Sequence, residues 1–114
     1  MAKGKSMKAF LINPFDKTVS EVDYSGDYKD IYKLIDAELF DVVYIDGNNA
    51  IYVDDEGLFK NEQAFFQVGY AMLAGRGLVL GTDDEGESIS PEIALEELRK
   101  QVKFLSREEV MRHV

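Results

Sequence analysis

Between Gly77 and Gly81 the chain reads Leu78-Val79-Leu80, apolar at every position. Successive side chains of an extended strand point to opposite faces. A strand with no polar alternation is therefore covered on both sides, and belongs at the centre of a sheet rather than its rim. The rest of the 114 residues has to be arranged around it.

The flanking segments supply candidates for its neighbours. Lys8-Ala9-Phe10-Leu11-Ile12 reads as a buried strand, stopped at Asn13-Pro14 because proline has no N–H to give a ladder. After a bend at Asp16-Lys17, Thr18, Ser20 and Val22 alternate with Val19, Glu21 and Asp23, the pattern of an outer strand. The period then changes. Tyr28, Ile31, Tyr32 and Ile35 fall at i, i+3, i+4 and i+7, one stripe of an amphipathic helix with Asp27 placed to cap it. Leu39 to Ile45, the turn residues Asp46-Gly47-Asn48-Asn49, and Ala50 to Val53 read as a β-hairpin. Ala64 to Tyr70 reads as a further strand, with Gly69 marking a bulge or a close backbone approach.

The C-terminal third predicts helix. Ser90 is placed as an N-cap, Pro91 at the first helical position and Glu92 in the first turn. Ala94, Leu98, Val102 and Leu105 form its inner stripe, and Arg99, Lys100 and Lys103 gather toward the C-terminal end of the dipole. Ser106 and Glu109 have the spacing of a second capping box opening a short tail helix. The order of elements is not a strict strand–helix alternation, which argues against a doubly wound parallel fold. The expectation is α+β: a mostly antiparallel sheet of five or six strands with two helices on one face. Residues 1–7 are expected to be a disordered basic leader, 8–105 a single domain and 106–114 a tail with a short helix.

Charge narrows the function. The net charge is −9, but residues 9–97 hold twenty acids against five bases, a net of −15, while both ends are basic. Such a body repels DNA, RNA and anionic lipid, whose affinity comes from Lys and Arg displacing counterions. No apolar run reaches the ~18 residues of a membrane span, and no secretion signal is legible. There is no cysteine, which suits a cytoplasmic protein and removes thiolate chemistry.

The tetrad Asp-Asp-Glu-Gly occurs twice, at Asp54-Asp55-Glu56-Gly57 and Asp83-Asp84-Glu85-Gly86. Both copies follow apolar strands and end in glycine, as polar turns do. The alternating ligand spacing of a calcium loop is absent, and adjacent aspartates of a strand face opposite ways. With twenty-two acids, chance pairs of carboxylates carry no catalytic signal. Gly75, Gly77 and Gly81 miss the dinucleotide spacing, and strand follows them rather than helix. Arg76 stands between the first two of these glycines, to pair with a carboxylate or to meet an anionic ligand. His113, the single histidine, lies at the tail and excludes a histidine metal site by count. No catalytic residue, metal ligand or cofactor is assigned.

As a set, "MKAFLINPFDKTV" from Met7, "IYKLIDAELFDVVYID", "IYVDDEGL" and "LAGRGLVLGTDDEGES" resemble a family of small domains of unknown function. That family occurs in bacteriophages, plasmids and bacterial accessory genomes. The resemblance runs over about residues 7–105. It implies a small cytoplasmic protein of mobile-element origin, and transfers no functional residue.

Two functional expectations follow. The first is a non-enzymatic interaction module whose acidic turns dock on a basic protein surface, such as that of a nucleic-acid-binding host protein. The residues assigned to it are Asp54, Asp55, Glu56, Asp83, Asp84, Glu85 and Glu87. The second is a small-ligand or weak divalent-cation binder using the acidic turns or Arg76. A homodimer is also expected, with Phe65, Phe66, Tyr70 and Met72 as its apolar patch.

Overall fold

The computed structural model describes residues 6–45, 47–57 and 63–112. Residues 1–5 of the expected leader, Asp46 of the hairpin turn and His113 lie outside them. The described chain is α+β, and every strand pair in it is antiparallel.

The large sheet has six strands, β1 (Met7–Asn13), β2 (Thr18–Tyr24), β3 (Phe40–Tyr44), β4 (Asn49–Asp54), β7 (Gly77–Thr82) and β8 (Ser88–Ile89). Their order is β2-β1-β7-β4-β3, with β8 paired to the C-terminal end of β7. The apolar triplet is thus central: Val79 pairs with Phe10 on one side and Ile51 on the other. Leu78, Val79 and Leu80 are completely buried.

A second sheet was not expected. β5 (Phe65–Val68) and β6 (Ala71–Ala74) form a tight hairpin, and β9 (Val102–Leu105) pairs with the other side of β5. Gly69 is not a bulge. It sits at φ +60° in the two-residue turn Gly69-Tyr70, a conformation glycine adopts without strain. The expected single strand Ala64 to Tyr70 therefore ends early and doubles back.

The helices also depart from expectation. α1 (Lys29–Ile35) and α2 (Leu95–Gln101) lie on opposite faces of the large sheet, not on one. On one face Ala9, Tyr24, Leu78 and Leu80 meet Ile31 and Ile35 of α1. On the other, Phe10, Ile12, Val19, Ile51, Val53 and Val79 meet Leu98 of α2 together with Phe66 and Val68 of the small sheet. A strand buried on both faces needs two covers, and one layer of helices could have supplied only one.

α2 (Leu95–Gln101) does not begin at the cap expected at Ser90: its N-terminal flank is Ala94, in extended backbone with no side-chain cap. Glu92 instead gives its N–H to the Oδ1 of Asn49, 2.9 Å away. Val102 to Leu105, read as the last turn of the helix, pairs residue for residue with β5. The ladder with β5 outweighs the weak helical preference of Val and Phe. Arg99 is a clasp rather than a dipole partner alone, donating from Nε and Nη2 to the Val19 carbonyl of β2 at 3.1 and 2.9 Å.

The tail helix α3 (Arg107–Arg112) opens as the spacing predicts. Ser106 gives its N–H to Glu109 Oε1 at 2.8 Å, and Glu109 gives its N–H to Ser106 Oγ at 3.1 Å. α1 starts one residue after its expected cap region, but Asp27 Oδ1 still accepts the Lys29 N–H at 3.0 Å.

Candidate functional site

The two acidic tetrads use their first aspartate in the same way. Asp54 Oδ1 accepts the N–H of Glu56 at 2.9 Å. Asp83 Oδ1 accepts the N–H groups of Glu85 and Glu87 at 2.9 and 2.8 Å, and Gly86 closes that loop at φ +85°. Each is an aspartate turn, in which a short side chain holds the backbone two residues on. Asp54 is only 7% exposed, so its carboxylate serves the fold rather than the surface. Asp55, Glu56, Asp84, Glu85 and Glu87 are exposed, and Asp83 is half-buried.

The tetrads do not meet. β4 and β7 run antiparallel with Asn49 opposite Gly81 and Val53 opposite Gly77. The first tetrad leaves the end of β4 and the second leaves the end of β7, so they stand at opposite ends of the pair. Roughly 17 Å of strand separates them.

Other acids gather around the first tetrad instead. Asp36, Glu38 and Glu56 line a shallow pocket with Tyr32 and Ala37. Asp41, Asp54 and Asp55 line a larger cavity of about 400 Å³ whose walls include Val43, Val53, Phe65 and Leu73. The β3–β4 hairpin makes this convergence: Phe40 pairs with Asp54, and the Asp55 N–H reaches the Leu39 carbonyl at 3.1 Å. Nothing in the linear sequence marks Glu38 as a neighbour of Glu56, or Asp41 of Asp55. Among the described residues, no group of three or more such side chains is arranged to hold a metal ion.

Arg76 belongs to the same end of the molecule. Its Nη1 lies 3.3 Å from Asp36 Oδ2, and its guanidinium carbon lies 5.4 Å from the centre of the Phe15 ring. It ties the β1–β2 turn, the end of α1 and the link between the two sheets. Of the two roles open to it in the sequence, this is the carboxylate pairing. The neighbouring glycines also serve packing. A Cβ on Gly77 would stand 2.8 Å from Phe66 Cζ, and one on Gly81 would stand 2.6 Å from the Ser90 carbonyl oxygen.

Three described groups have displaced proton affinities, each for a structural reason. Burial holds the Tyr24 phenol above its ordinary value, and the charges of Tyr52, Asp27 and Asp30 add to this. The Ser106 backbone N–H holds the Glu109 carboxyl below the usual range. The hydrogen bond to Asp23 raises Lys8, and Glu21 lies 3.5 Å from the same ammonium.

The expected apolar dimer patch needs correcting. Phe66 is buried between the two sheets, and Phe65 is buried on the other face of β5 with Ala74, Leu105 and Val110. Tyr70 and Met72 remain exposed, as do Tyr44 and Leu39 on the β3 side.

Among the described residues no helix is long and apolar enough to cross a membrane. Comparison with curated proteins and with solved structures finds no match to this chain. A family model does match, over residues 7–103, with its first matched residue at the start of β1 and its last within β9. No enzymatic family is indicated by it. The chain belongs to the family described as a domain of unknown function (DUF3846).

Proposed function

We propose that the protein is a non-enzymatic interaction module that docks on a basic protein surface in the cytoplasm. The observation that carries this reading is the acidic end of the large sheet. There Asp36, Glu38 and Glu56 line one pocket and Asp41 and Asp55 another, at the end formed by the β3–β4 hairpin and the end of α1, with Arg76 set against Asp36. The carboxylates are open to solvent rather than sealed in a hollow, which suits recognition of a charged surface better than acid–base chemistry. The second acidic turn, Asp83 to Glu87, faces away from this end and would make a separate contact.

Binding to purified basic nucleic-acid-binding proteins at low and high salt tests the proposal. Affinity falls as salt rises, because exposed charge contacts are screened over roughly 8–10 Å at physiological ionic strength. The Asp55→Asn, Glu56→Gln double variant weakens it further. Absence of binding, or binding indifferent to both changes, defeats the proposal.

A further inference from the structure

Each sheet has free edges, and two of them face each other. β3 pairs only with β4, and β6 pairs only with β5, among the described residues. The cavity beside Asp41 and Val43 has Met72, Leu73 and Ala74 on its far wall. A second cavity, of about 470 Å³, continues past Tyr44 and Ile45, with Tyr70 and Ala71 opposite. Along this seam β3 numbering rises from 41 to 45 while β6 numbering falls from 74 to 70, so the walls run in opposite directions. The seam is about five residues long, roughly 17 Å. Its floor is apolar, from Val43, Val53, Phe65 and Leu73, and two exposed carboxylates, Asp41 and Asp55, stand at one end only.

From this geometry we infer that the seam receives an extended basic peptide segment of a partner protein, which adds as a strand to the open edge of β3. The edge of β3 offers backbone donors and acceptors to such a segment, the Val42 N–H being held by Asp41 Oδ1 at 2.9 Å until a carbonyl of the segment takes it, and side-chain pockets on one face choose its sequence. The register of β3 sets that face. Asp41 and Val43 point toward the small sheet, since their partners Val53 and Ile51 do. Alternate residues of the incoming strand therefore lie in the seam, a Lys or Arg beside Asp41 and Asp55 and an apolar residue against Val43 and Leu73. A second copy of this chain is the weaker occupant. It carries the same net charge of −9, and its own β3 edge would bring the same carboxylates to the contact.

The inference rests on the basic-partner reading and specifies where and how the partner is held. Synthetic hexapeptides alternating Lys or Arg with Val or Leu test it by fluorescence anisotropy against the full chain, with amide exchange of β3 followed by NMR. The expected result is binding, with β3 amides slowed. N-methylation of the peptide at two positions facing β3, which leaves its charge unchanged, weakens binding about tenfold, the loss of two hydrogen bonds. Asp41→Asn with Asp55→Asn weakens it several-fold, and Asp84→Asn with Glu85→Gln at the opposite end leaves it unchanged.

Peptide binding that ignores N-methylation overturns strand addition while leaving the basic-partner reading standing. So does binding that is lost in the Asp84, Glu85 variant and kept in the Asp41, Asp55 variant. Failure of every peptide, with purified basic proteins still bound, overturns the seam alone. β3 amides already protected in the free protein, in a dimer by light scattering, would give the seam to a second copy and overturn the inference.

Discussion

A methyl group added at Gly77 would have to displace the ring of Phe66 or the branch of Ile51, which come within 2.8 and 2.9 Å of it. Gly77→Ala is expected to destabilise the protein by about 1–3 kcal/mol, the usual cost of overpacking a close-packed core. The check is the denaturant midpoint, with the slope of the transition unchanged. Tyr24 gives a pH test. Its pKa in the folded chain lies above the ordinary 10.0, mainly through burial. The unfolded chain therefore ionises first. The stability contributed by neutral Tyr24 is full below the ordinary value and is lost as pH rises through the raised one. Tyr24→Phe should flatten the alkaline limb of a stability–pH curve, followed by thermal melts across that range. At this scale the sequence was informative where one residue does one job. It showed the triplet Leu78–Leu80 as doubly buried and both tetrads as turns, because aspartate-to-backbone bonds are made within a few residues of the chain.

Elements were harder to read where two periodicities agreed on the same residues. Val102 and Leu105 complete a helical stripe begun by Ala94 and Leu98, yet Val102 to Leu105 also makes a short strand. β5 decides between them, and its pairing with β9 spans some forty residues of chain that no local pattern can reveal. The hairpin of β5 and β6 was hidden for a different reason. Gly69 fits a bulge as well as a turn, and only the pairing of Val68 with Ala71 distinguishes the two. The cap of α3 was legible because its partners are three residues apart. Ser106→Ala should weaken that helix by about 1 kcal/mol, seen as faster amide exchange confined to α3. Glu109 adds an acid limb. Its folded pKa lies below 4.5, so the cap is intact above that value and is lost as pH falls through the depressed one. The helical signal of α3 should fade there before the sheets melt.

For the whole molecule, charge and topology act together. The acids at this end come from residues 36–41 and 54–56; the register of β3 on β4 brings Asp41 and Asp55 to one pocket, while Asp36, Glu38 and Glu56 line another. The repeated tetrad drew attention to two places that the same sheet holds apart. A body this acidic repels itself, so added salt should raise the melting temperature of the free protein even as it weakens a complex with a basic partner. Opposite salt responses in a melt and a binding titration would check this with one preparation. The late position of β7 has another consequence. Phe10 waits for Val79, and Ile51 waits for the same residue. During synthesis the two N-terminal hairpins emerge as separate ribbons with an oily surface and no partner, and they are joined only when the strand destined to lie between them has left the ribosome. The interval before that moment is when this chain is most exposed to misassociation, and a slower ribosome would lengthen it.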